Sequence, residues 1–337
     1  DIVEQRPPKM FVDRARKRRA YLTAGPYQGR ILRVQDMMLD EICLSAVQQG
    51  VPVAFTSDPY AESPLGWNQR RNQTGILKIL DITPKKRMID IDESFNLYMN
   101  TYRMRGLNDP GVYKDDNATG VMITFGFGAV QIYGEYLTLL NISNDINKLE
   151  TKKSSGGALT DSEQQRLDTA YASLNEHSPA DTALFSARAV EILDTTIARY
   201  PEFWMSYILL SEFYTERNDT ATALEYLYTG EKNLQDFHDH SPDNANYLQD
   251  LGLMKFEIAK ILGDEDDAGR MDESLELLWA GFEVNENSGI AYQKLVQYLF
   301  DRRRNSDILT ATRRHAAYGM NRSNPTVQSI LRNSVGG

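Results

Sequence analysis

The 337-residue chain has one cysteine, Cys43, and four histidines, His177, His238, His240 and His315. A single cysteine excludes an intramolecular disulfide. Cys43 lies in "DEICLSAVQQG", among apolar residues of helical type, and reads as a buried structural thiol. The sequence has no G-x-S-x-G, no H-E-x-x-H, no Walker loop and no C-x-x-C. "FGFGAVQIYG" contains glycines but lacks the strand-then-helix setting and the later acid of a dinucleotide site. No cofactor and no metal is therefore expected, and an enzyme is not the expected class. Long apolar runs are scarce too. Only "VMITFGFGAVQIYGEYLTLL", residues 121–140, has the length of a membrane span, about 20 residues. It carries Gln131, Glu135, Gly126, Gly128 and Gly134. A buried core helix is the expectation. A strand stays open because Val121, Ile123, Phe125 and Phe127 alternate, and so does membrane contact.

Positive charge is in deficit: the net charge is −10. An acidic surface argues against nucleic acid as a partner. The deficit is uneven. Residues 1–35 hold nine Lys/Arg against three acids, so a +6 leader precedes a body of −16. The leader, residues 1–30, is expected to be a basic extended arm, with Pro7, Pro8 and Pro26. Residues 236–276 hold twelve acids against three bases, net −9. A solubilising face is the plain reading of that run; steering of a basic partner is the functional one.

What is present is mostly helical in pattern. From Arg30 to Gly50, Ile31, Val34, Met38, Ile42 and Leu44 keep roughly helical spacing. The stretch 51–75 is rich in turn formers and reads as a long loop, followed by "ILKILDI", a short strand or a helical turn. "DESFNLYMNTYRMRG" reads as a helix capped near Asp90 or Asp92 and closed by Gly106, and "LNDPGVYKDDNATG" as a loop. Thr160 and Glu163 have capping-box spacing. Residues 133–178 are expected to form an antiparallel helical hairpin. The N-terminal region 31–132 is expected to be helices and loops.

From residue 179 to 334 a period appears. Ala189 and Leu193 recur 34 positions later as Ala223 and Leu227. Within one copy the series is Tyr207, Leu210, Ser211, Tyr214, Ala223, Leu227, Gly230, with a turn at "RNDT". Small residues suit a close helix crossing, and large ones fill the gap to the next pair. Leu251, Gly252, Ser274, Leu278 and Gly281 make a second copy, lengthened by the loop "GDEDDAG". Tyr292, Leu295, Val296, Leu299, Ile308, Thr312 and His315 make a degenerate third, and "NPTVQSILRN" reads as a closing helix.

Residues 180–320 resemble the tetratricopeptide repeat. Two departures stand out: the family's terminal proline is present at Pro201 but replaced by Gln235 one repeat on, and the last copy lacks the family's small residues. The resemblance implies an all-α fold, a right-handed helical solenoid with a mostly helical N-terminal region. It also implies a non-catalytic interaction scaffold or assembly subunit. By that resemblance, Met205, Ile208, Glu212, Thr215, Glu216, Ile290, Gln293, Gln297 and Phe300 would contact a protein partner. Asp264, Glu265, Asp266 and Asp267 form a candidate acidic steering loop, because the repeat spacing is broken there by extra residues.

Two polar clusters invite an ion and fall short. "DFHDHSPD" gathers Asp236, His238, Asp239, His240 and Asp243 in what reads as an inter-repeat loop. "DEDDAGRMDE" is a poor match to a calcium loop, with Leu275 where its last Glu would stand. The alternative function is a ligand-binding or transport accessory protein with an apolar cavity near 121–140. An enclosed pocket beside Phe125, Phe127 and Tyr133 would favour it over an open groove. A start at Asp1 without Met, and five N-x-S/T sequons without paired cysteines, lead to the expectation of a bacterial envelope protein with its anchor ahead of Asp1. The cytoplasm is the alternative location.

Overall fold

The computed structural model describes residues 20–21, 31–32, 38–55 with gaps, 71–80, 89–103 and, with short gaps, 106–317. Helix dominates. The chain divides into two compact units: residues 1–102 with 127–192, and residues 103–126 with 193–337.

The first unit holds the strands. β1 (Ala20–Tyr21) pairs antiparallel with β2 (Ile31–Leu32). β3 (Ala54–Phe55), β4 (Arg71–Thr74) and β5 (Leu77–Leu80) form an antiparallel sheet in the order β3-β5-β4. The expected arm and the expected helix from Arg30 thus each contribute a strand, and the expected loop contributes two. The β4–β5 hairpin turns through Gly75, at φ +62, where a Cβ would strike the Tyr102 hydroxyl. Asn72 and Gln73, polar by type, are buried by the sheet, so a periodicity reading misses the strand. Residues 45–48 are helical, as expected, and Cys43 is buried with Leu80, Val47, Val53 and Phe55. Met38 and Ile42, expected on an apolar face, are 60% exposed.

α1 (Ile91–Asn96) starts at the N-cap Asp90, whose carboxylate accepts from the Glu93 N–H at 3.4 Å. It runs into a π-turn over Leu97–Thr101 and stops at an extended Tyr102, short of the Gly106 expected to close it. A tertiary contact ends it early: the Tyr102 hydroxyl accepts from the Ile76 N–H at 3.0 Å. The Ser94 hydroxyl accepts from the Gly75 N–H at 2.9 Å, fastening α1 to the hairpin.

α2 (Asp116–Ser154) is 39 residues long, absorbing residues 116–120 of the expected loop and all of 121–140. Its residues 127–154 belong to the first unit. Gly128 lies under the Tyr98 hydroxyl, with no room for a Cβ. α3 (Asp161–Leu174) returns antiparallel, tied by Arg166 to Asp145 and by Lys152 to Glu163. The capping box is formed. The Glu163 N–H donates to Thr160 Oγ1 at 3.2 Å, and the Thr160 N–H donates to Glu163 Oε2 at 2.9 Å. The helical hairpin expected at 133–178 is formed by α2 and α3, with a longer first arm. α4 (Thr182–Arg199) contributes Phe185 and Ala189 to this core. Its Arg188 donates to Asp92 at 2.6 Å and to the Tyr136 hydroxyl at 3.2 Å.

The second unit is a run of antiparallel helices: α5 (Trp204–Thr215), α6 (Thr220–His240), α7 (Ala245–Leu262), α8 (Ala268–Val284), α9 (Gly289–Asp301) and α10 (Asn305–Ala317). The described residues of 180–317 contain no strand. Each helix packs on the next, and α5·α7 and α7·α9 also touch. The turn between α5 and α6 falls on the expected "RNDT", with Asn218 at φ 61 and the N-cap Asp219 accepting from the Thr222 N–H at 3.1 Å. Small residues stand at the crossings. A Cβ on Gly230 would lie 2.8 Å from the Tyr207 ring and 3.0 Å from Met254 Sδ. One on Gly252 would lie 3.0 Å from Leu278 Cγ, and one on Gly281 would overlap Gln249. Ala223 is fully buried. The closing helix expected at 324–334 lies outside the described residues.

Candidate binding surface

The expected residues lie on α5, with Glu216 just past its end, and on α9, and α7 touches both helices. On α5, Tyr207, Leu210 and Ser211 turn inward, leaving Met205 and Ile208 half-buried and Glu212, Thr215 and Glu216 exposed. Ile208 packs against the Tyr207–Leu227–Leu251 core, so it supports the face more than it presents a contact. Glu212 meets α7. Loss of water pushes its carboxyl pKa up, the Glu257 carboxylate adds to that, and Lys260 opposes it. Lys260 pairs with Glu257 at 2.9 Å, so this part of the face keeps an acidic excess. On α9, Gln293, Gln297 and Phe300 are exposed at helical spacing, Phe300 by 60%. The Ile290 side chain and the loop Asp264, Glu265, Asp266 and Asp267 lie outside the described residues.

Beside this face lies a cluster that sequence reasoning missed. Asp250 of α7 is buried and pairs with Lys294 of α9. The Lys294 ammonium also sits 5.1 Å from the centre of the Trp204 ring of α5, so one cation ties three helices. The Tyr247 hydroxyl donates to Glu202, whose carboxylate lies 3.7 Å from Lys114 Nζ. Lys114 in turn stands 4.7 Å from the centre of the Phe237 ring. Burial pushes the Tyr200 and Tyr247 phenols well up, with Glu202 adding to both. By sequence Asp250 is one of the solvated acids of 236–276; in the fold it is one of the most enclosed charges of the unit. The only trace in the sequence is that Asp250 and Lys294 hold equivalent positions in successive first helices. Chemically the cluster is a set of matched donors and acceptors that bind helices to one another.

The histidine-acid cluster is corrected in place. Asp236 to His240 form the last turn of α6, not a loop, and His240 Nδ1 lies 2.7 Å from the Asp236 carbonyl. Among the described residues no group of three His, Cys, Asp or Glu could hold a metal ion. Segment 121–140 is helical, not a strand, and no described helix is long and apolar enough to cross a membrane. Phe125 and Tyr133 are buried as a core helix requires, while Val121, Ile123 and Phe127 are exposed. Its glycines receive rings: a Cβ on Gly126 would lie 2.7 Å from Phe203. A cleft of about 780 Å³ opens farther along, between α2 and α3, lined by Asn141, Asn144, Asp145, Lys148, Gln165 and Arg166 among others.

A scan against protein-family models finds no match, and a search of curated proteins finds none. The repeat resemblance therefore rests on the residues themselves.

Proposed function

We propose that the chain is a non-catalytic binding protein whose second unit is a tetratricopeptide-like solenoid, and that the α5–α7–α9 face takes a protein partner. The observation that carries this reading is the pattern of crossings. Gly230, Gly252 and Gly281 admit close helix approach, and α5, α7 and α9 touch in turn, which lines up one helix of each pair as a continuous surface. The exposed residues of that surface, Glu212, Thr215, Glu216, Gln293, Gln297 and Phe300, mix acids, amides and one large ring. Such a mixture suits a peptide or protein segment with basic groups and an apolar anchor. The titratable groups beside it are already matched to one another, which favours binding over catalysis.

The test uses photo-crosslinking side chains at Thr215 and Gln297, and at Lys232, exposed on α6, as a control. The reading requires the same polypeptide to be captured from 215 and 297 but not from 232. It also requires Phe300→Ala to weaken that partner roughly tenfold or more, the loss of one buried aromatic anchor. Capture from Lys232 alone, or an unchanged affinity for Phe300→Ala, refutes it.

A further inference from the structure

The cleft of about 780 Å³ between α2 and α3 lies wholly in the first unit and takes no part in the proposed partner face. Its volume is that of a small-molecule site, commonly about 300–1,000 Å³. Its lining is unlike that of a pocket for an apolar ligand. Ile142 and Ala170 are its apolar residues, and no aromatic ring lines it. That leaves no ring for a nucleobase to stack on and no deep apolar recess for the anchor side chain of a peptide.

The polar side chains divide by what each can still offer. Asp145 is spent: Arg166 Nε donates to its Oδ2 at 2.6 Å, and Arg166 Nη2 donates to its Oδ1. The pair cancels one charge against the other and leaves Arg166 Nη1 uncommitted among the described residues. Lys148 has no hydrogen bond or ion pair among the described residues, and neither do the carboxamides of Asn141, Asn144 and Gln165. The Lys148 ammonium is therefore the unbalanced charge of the cleft, and it can only donate. Thr169 Oγ1 donates to the Gln165 carbonyl and Ser173 Oγ to the Thr169 carbonyl, each at 2.8 Å. Both hydroxyl protons are used, and their oxygens are left to accept.

The hairpin sorts these groups along the cleft. α2 and α3 run antiparallel, with Asp145 against Arg166 and Lys152 against Glu163. Lys148 falls between those pairs, so it stands toward the hairpin turn, with Arg166 and Gln165 across from it. Asn144 and Asn141 stand toward the other end, with Thr169 and Ser173 across from them. The first end is net positive and rich in donors. The second mixes carboxamides, which donate and accept, with hydroxyl oxygens that accept. An anionic group has lone pairs and no proton to give, so it suits the first end and is repelled by the acceptors of the second. A ligand hydroxyl both gives and takes, so it suits the second.

We infer that this cleft binds a small hydroxylated anion, with its charged group held by Lys148 and Arg166 and its hydroxyls held by Asn141, Asn144 and the oxygen of Thr169. A sugar or polyol carrying a phosphate and one carrying a carboxylate share that chemistry.

NMR of the side-chain amides in the full chain tests it with matched probes. Mannitol phosphate and gluconate carry the charge as phosphate and as carboxylate; mannitol and inorganic phosphate each carry half of the chemistry. Millimolar mannitol phosphate or gluconate should shift the carboxamides of Asn141, Asn144 and Gln165, and the tighter of the two names the charged group. Lys148→Gln, at an exposed position, should weaken that binding roughly tenfold, the loss of a charged hydrogen-bond partner. Asn144→Ala, also exposed, should weaken the hydroxylated anion and leave inorganic phosphate unchanged. Binding to the wild type should weaken as salt is raised, which tests the charge without any variant. No shift with either hydroxylated anion, or an affinity indifferent to both salt and Lys148→Gln, overturns the site. Inorganic phosphate binding as tightly as mannitol phosphate overturns it too, since the cleft would then hold an adventitious ion only. Mannitol binding as tightly as the charged probes removes the role of Lys148 and overturns it equally.

Discussion

Replacing Gly230 by alanine sets two effects of opposite sign against each other. Alanine is a better helix former than glycine by about 1 kcal/mol in a helix interior, so an unconstrained site would be stabilised. Gly230 is constrained. The new methyl would sit 2.8 Å from Tyr207 Cγ and 3.0 Å from Met254 Sδ, both fully buried. The Tyr207 ring cannot swing away cheaply. Its hydroxyl donates to the Pro201 carbonyl at 2.8 Å and accepts from Asn233 Nδ2 at 2.8 Å, so moving the ring strains two hydrogen bonds as well. Overpacking of this kind costs about 1–3 kcal/mol. The net expectation for Gly230→Ala is a loss of about 1–2 kcal/mol. The control is Gly134→Ala. That helical glycine has nothing within 4 Å of its would-be Cβ, so it should gain up to about 1 kcal/mol. Urea unfolding of both variants against the wild type, with unchanged slopes, reads the two signs directly. If Gly230→Ala is as stabilising as Gly134→Ala, α5, α6 and α7 do not meet at this glycine, and the packing described above is wrong.

Ala223→Leu should cost about 1–3 kcal/mol by the same overpacking, and an unchanged melting temperature would count against its place at the α5–α6 contact. Thr160→Val removes the hydroxyl cap of α3 and should cost about 0.5–2 kcal/mol, visible as faster amide exchange in residues 161–165. The Lys152 ammonium, then the Thr160 N–H, hold the Glu163 carboxyl down at about 2. The contribution of this group is therefore present above its ordinary 4.5 and lost as pH falls from there toward 2; a carboxyl titration with a midpoint near 4.5 would contradict it. Changing Asp264, Glu265, Asp266 and Asp267 together to Asn/Gln should slow partner association at low salt and leave folding intact. An unchanged on-rate would remove the loop from the binding account.

The helical character of residues 180–317, the "RNDT" turn, the capping box and the burial of Cys43 were all legible in the sequence. Each is local: apolar spacing along one helix, a cap and its partner three residues apart, a run of turn formers. The small residues at 230, 252 and 281 were legible as crossings because the order of small and large residues within one copy recurs in the next, despite the extra loop between them. Tertiary structure decided the rest. The sheet at 54–80 buries Asn72 and Gln73, so its strands lack the alternation that marks a half-buried strand. α1 stops at Tyr102 because a hydroxyl is needed 26 residues back along the chain, at the Ile76 N–H. Asp250 reads as one more acid in an acidic run, and only the packing of the other helices on α7, which brings Lys294 to it from 44 residues away, takes it out of water. A charge's environment is set by what packs over it, and contacts at that sequence separation leave no periodic mark for a one-dimensional reading to find.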